Sequence, residues 1–113
     1  MATGRLGAVA LVTDNTNNLV YTSPTGFYSV FNVSICNTTT TAVTIRMAIS
    51  TSSTAGGVAA SEYIEYDTAL PAKGVFERTG LITSALSAPY VWVQASTASG
   101  INVMVYGIET SIT

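Results

Sequence analysis

Between residues 27 and 50 the chain alternates apolar and polar positions with a period of two. Phe31, Val33 and Ile35 are interleaved with Asn32, Ser34 and Cys36. Beyond Asn37 and a run of threonines, Val43, Ile45, Met47 and Ile49 are interleaved with Thr44, Arg46, Ala48 and Ser50. A period of two rather than 3.6 predicts two half-buried strands. Their junction through NTTTT predicts an antiparallel hairpin whose apolar face must be covered by a second sheet.

The rest of the chain offers strands for that sheet. Residues 5–13 are extended and end in the polar cluster 14–18, whose side chains satisfy turn backbones. Leu19, Val20 and Tyr21 open a second strand, and Ser23-Pro24-Thr25-Gly26 turns it into the central pair. The segment TSSTAGGVAA at 51–60 has no periodicity and reads as a contact loop around Gly56 and Gly57. Tyr63 to Asp67 is dense in β-formers, the 70–74 turn leads into 75–78, and a separate short segment, Leu81-Ile82-Thr83, follows Gly80.

Residues 90–95 and 101–108 flank STASG and predict a second hairpin with large side chains on both faces. Only one face can meet the core, so Tyr90 and Trp92 are expected on the exposed side, as an interface. About eight short strands with regular turn signals, and no capped helical pattern, predict an all-β chain. The expected fold is a single domain over 1–113, an antiparallel two-sheet β-sandwich, either Ig-like or jelly-roll-like.

Composition adds a constraint on the surface. Charged residues make up 9% of the 113, and the formal net charge is -2. An ordinary globular domain carries about 25% charged residues. No apolar run approaches the roughly 18 residues of a membrane span, so no membrane partner is expected. The surface must therefore be largely Thr, Ser, Asn and Ala. Such a surface repels itself weakly and is expected to be covered by other copies or by another protein.

Arg5, Arg46, Lys73 and Arg78 are scattered and outnumbered by six acids, so no positive field exists for nucleic acid. The lone Cys36 reads as a small strand residue with no disulfide. The apolar N-terminal stretch reads as a strand rather than a signal peptide, and the sequons at Asn32 and Asn37 as accidental.

Candidate chemistry is thin. There is no histidine, which removes the commonest general base and metal ligand, and no phosphate-binding glycine loop. On a regular strand Glu65 and Asp67 would share a face about 7 Å apart, a spacing that suits paired carboxylates or calcium. On an edge strand these charges guard against edge pairing, with Glu77 and Arg78 pairing to Arg46 or Glu65. Tyr63, Tyr66, Tyr90, Trp92 and Tyr106 suit a core or protein interface, with a sugar-stacking platform as the alternative. No catalytic residue, metal or cofactor is assigned, and the chain is expected not to be an enzyme.

The opening MATGRLG, the central EYIEYDTALPAKGVFERTGLI and the closing VMVYGIET carry a resemblance over nearly the full length. The chain resembles small virion structural proteins of tailed bacteriophages, especially those infecting cyanobacteria and other marine bacteria. The resemblance implies a non-enzymatic particle component, made in the host cytoplasm and located in the virion. The reading it favours is a decoration or cement protein that binds the assembled major capsid protein. A homo-oligomer is expected, with a trimer among the options. The alternative is a neck, tail or fibre module for tail assembly or for binding a host receptor or glycan. The interface candidates are Arg5, Leu6, Tyr90, Trp92, Gly56 and Gly57.

Overall fold

A computed structural model of the chain describes residues 3–112. Eight strands follow in order: β1 Thr3–Ala10, β2 Asn18–Thr22, β3 Phe27–Asn37, β4 Val43–Ser50, β5 Tyr63–Leu70, β6 Val75–Ser84, β7 Tyr90–Ala95 and β8 Ile101–Ser111. Between β4 and β5 lie two single turns of 3₁₀ helix, Ala55–Gly57 and Ala60–Glu62. One sheet, A, has the order β1-β8-β3-β6 and the other, B, the order β2-β7-β4-β5, and every pairing is antiparallel. First pairs with last, second with seventh, third with sixth and fourth with fifth. That is a long hairpin rolled up on itself, and it decides between the two sandwich options in favour of a jelly roll.

Both predicted hairpins are corrected by this topology. β3 lies in sheet A and β4 in sheet B, and β7 and β8 are likewise split. In these four strands the buried face is the one that alternation predicts. Phe31, Val33 and Ile35 face Ile45 and Met47, and Val91, Val93 and Ala95 face Ile101, Val103 and Val105, within one core. Two strands with strong apolar faces bury more by meeting face to face across the sandwich than by lying side by side, and burial of each aliphatic side chain contributes about 1.5–3 kcal/mol.

The crossover after β3 is held by Asn37, which is fully buried. Its Nδ2 donates to the carbonyls of Thr41 (2.9 Å) and Pro71 (3.1 Å), and its Oδ1 accepts from the Thr39 backbone N–H (2.9 Å) and hydroxyl (2.7 Å). One side chain thus ties the β3–β4 and β5–β6 crossovers together. The β7–β8 crossover joins them, because the Thr38 N–H and hydroxyl both donate to Gly100 O.

The edges carry a second regularity. Each of the four pairings that involve an edge strand, β1–β8, β2–β7, β3–β6 and β4–β5, contains a register break, whereas the central pairings β3–β8 and β4–β7 run unbroken. Bulges twist an edge away from a flat template and oppose strand-to-strand polymerisation. A chain with so few charges to guard its edges uses bulges instead. One of them corrects a boundary: β6 continues from 75 through 84, and Gly80, at φ +70°, accommodates an irregularity rather than separating two strands.

Candidate interaction surfaces

On the outer face of sheet A, Val30 of β3 stands between Ile108 of β8 and Ile82 of β6, its register partners. Their exposures are 44%, 51% and 64%, so three branched aliphatic side chains form a row across three strands in contact with water. Tyr28, also exposed, begins the next row between Thr110 and Ser84, and Thr3 of β1 extends the aliphatic row beyond Ile108. None of these residues is charged. In the following row Arg5 sits opposite Tyr106, whose hydroxyl donates to Glu77 Oε2 at 2.6 Å and is pushed up in pKa by that bond. Further along, Ala8, Ala10, Ser34, Cys36, Asn102 and Met104 border a shallow, mainly apolar groove of about 340 Å³.

The outer face of sheet B is built differently. Trp92 points to this face, as alternation predicts, but it is only 5% exposed, which corrects the expectation of an open indole. The cause is the 51–62 loop, which folds back over the strands so that Trp92 Nε1 donates to Ser52 O at 3.1 Å. Glu62 fastens that loop. Its carboxylate accepts from the Ser50 hydroxyl (2.6 Å) and from the backbone N–H groups of Ala59 (2.8 Å) and Thr51 (3.0 Å), and these bonds, that of Ser50 foremost, hold it below the usual carboxylate range. Asn17, just before β2, donates to Ala55 O and Tyr63 Oη, anchoring the loop's far side.

Beyond the loop, Tyr66 is 58% exposed. The Arg46 guanidinium lies over its ring at 3.8 Å from the centroid, and Tyr63 meets it nearly perpendicular at 5.3 Å. Arg46 also donates through Nε and Nη2 to the two oxygens of Asp67, at 2.7 and 3.2 Å. Asp67 takes φ +53° at the bulge in β5, a conformation asparagine and aspartate tolerate better than other L-residues. This bulge separates Glu65 from Asp67 and corrects the expectation of a shared face. Glu65 ion-pairs with Arg78 of β6, linking the edge strands of the two sheets, and accepts from the Thr68 hydroxyl at 2.7 Å. Among the described residues no group of three or more His, Cys, Asp or Glu side chains gathers where it could hold a metal ion.

The predicted interface residues do not converge. Arg5 is exposed on the outer face of sheet A, while Leu6, at the β1 bulge, turns inward and packs on the core. Tyr90, half-buried, begins β7 in sheet B, and Gly56 and Gly57 sit exposed in the loop that covers Trp92. The residues that reasoning from sequence passed over are Val30, Ile82 and Ile108. Their signal was present, since each is a large aliphatic side chain at the outward parity of its strand. Comparisons with protein-family models, curated proteins and solved structures find no match for this chain.

Proposed function

We propose that this chain is a non-enzymatic structural protein of a bacteriophage virion that attaches to the assembled capsid through the outer face of sheet A. The observation that carries the attachment surface is the uncharged row Ile108–Val30–Ile82 with Tyr28 beside it. A compact protein that leaves neighbouring branched aliphatics in water gains by covering them, at about 25 cal/mol per Å² of apolar surface removed from water. Bulged edges support the same reading, because they leave the faces, rather than the strand edges, for association.

Jelly rolls recur in viral capsid and lectin domains, so the fold accommodates a particle role without requiring one. The particle assignment rests on the resemblance to small phage virion proteins. A copy that binds only the assembled lattice stabilises that lattice by mass action, and no chemistry is needed.

Co-sedimentation with purified particles lacking this protein tests the surface. Ile82→Lys places a charge in the row at a position 64% exposed, where the fold tolerates it. The variant is expected to remain folded and to stay in the supernatant while the unmodified protein pellets. Equal binding by Ile82→Lys and Val30→Lys overturns the assignment of this face.

A further inference from the structure

The outer face of sheet B, opposite the proposed attachment face, holds an assembly that attachment does not use. Tyr66 is held on two sides, by Arg46 stacked on its ring and by Tyr63 set nearly perpendicular to it. Tyr63 is itself fixed through its hydroxyl by Asn17 Nδ2 at 3.0 Å. Arg46 is fixed in turn by its two bonds to Asp67. Despite these contacts Tyr66 remains 58% exposed and the Asp67 side chain 53% exposed. The ring, the guanidinium and the carboxylate are therefore ordered before any ligand arrives, yet open to one.

We propose that Tyr66, Arg46 and Asp67 form a binding site for a neutral saccharide. The chemistry needs two elements at once: an apolar plate for the C–H face of a sugar ring, and adjacent donors and acceptors for neighbouring hydroxyls. Tyr66, 58% exposed, supplies the plate with the part of its ring that Arg46 and Tyr63 leave uncovered. Asp67 has lone pairs left after accepting from Arg46, and Arg46 has N–H groups beyond the two it donates, so one acceptor and one donor lie beside the plate. Because the three groups restrain one another, little side-chain freedom remains to be lost on binding.

Charge selects among ligands. The Arg46 cation is neutralised by Asp67, and among the described residues Arg78 pairs instead with Glu65, so phosphate, sulfate and carboxylate-bearing sugars gain little from the field. Gln94, the register partner of Arg46 on β7, adds a further uncharged hydrogen-bonding side chain beside it. The ligand class is therefore an uncharged hexose or oligosaccharide, on a face that points away from the proposed attachment surface.

The test is a glycan array carrying several hundred neutral and anionic glycans, probed with the whole protein, Tyr66→Ala and Tyr66→Phe. The outward position of Tyr66 lets both variants fold, which an amide-resolved NMR spectrum checks. The expected result is signal on neutral glycans that falls about tenfold or more in Tyr66→Ala and persists in Tyr66→Phe. A blank array at high protein concentration, binding to anionic glycans alone, or equal binding by Tyr66→Ala overturns the site. A blank array together with loss of particle binding or self-association in Tyr66→Ala also overturns it, and reassigns the residues to a protein interface.

Discussion

Tyr21 and Glu109, 88 positions apart in sequence, meet inside the sandwich, where the Tyr21 hydroxyl donates to Glu109 Oε2 at 2.6 Å. Ser29 joins them, its Oγ 2.6 Å from the same hydroxyl. With Ser23 and Thr83 also buried, they make a polar group beside the apolar core. Burial, with the Glu109 hydrogen bond behind it, pushes the Tyr21 phenol up to about 12. The phenol must stay protonated to donate to the carboxylate, so the pairing depends on pH.

The sign follows from linkage. The unfolded chain releases the Tyr21 proton near pH 10, whereas the folded chain keeps it to about pH 12. The stability it contributes is complete below pH 10 and is lost between pH 10 and 12. Denaturant midpoints measured across that window should fall for the unmodified protein and fall less for Tyr21→Phe. At neutral pH, Tyr21→Phe should cost about 1–3 kcal/mol, because a buried carboxylate loses a donor. Identical pH profiles for the two proteins contradict the account of this pair.

The second prediction concerns the clasp over Trp92. Glu62→Ala removes the acceptor for Ser50 Oγ and for the N–H groups of Thr51 and Ala59. Trp92 is the single tryptophan in the chain, so its emission reports on the loop alone. The variant should show red-shifted emission and faster acrylamide quenching with an unchanged strand signal in circular dichroism. Because the folded-state pKa of Glu62 is lowered, its contribution is present above the unfolded value and is lost as pH falls through the folded one. Acid should therefore move the Trp92 emission of the unmodified protein in the direction that Glu62→Ala moves it at neutral pH. Unaltered emission in the variant contradicts a clasp.

A third prediction follows from the corner. Asn37→Ala removes the buried amide that joins the carbonyls of Thr41 and Pro71 and the Thr39 N–H at this partly buried corner, and should cost about 1–3 kcal/mol, read as a lowered denaturant midpoint. Gly107→Ala should be comparably damaging for a steric reason, because a Cβ at that position collides with the backbone of Val30 and Phe31 in β3. Gly56→Ala, where a Cβ meets nothing within 4 Å, is the control and should be nearly neutral.

How much was legible in the sequence differs between levels. Period-two alternation identifies the strands and their buried faces, because the side chains of Val33, Ile45 or Val103 must point away from water whatever the strand pairs with. It carries no information about the partner, so β3 and β4 read as neighbours until the Asn37 corner sends the chain across to the other sheet. For the same reason the choice between an Ig-like sandwich and a jelly roll could not be made from local pattern. Trp92 shows the complementary limit: its face was predictable, but its exposure is decided by a loop without periodicity, whose fastening by Glu62 is a matter of individual hydrogen bonds. The row Ile108–Val30–Ile82 becomes visible only when register brings three distant outward positions side by side.

The central claim is attachment to the capsid, and immunogold labelling of intact particles with antibody to this protein tests it most directly. The account predicts gold distributed over the head. Gold confined to the neck, tail or fibre tips, or particles that carry none, contradicts it.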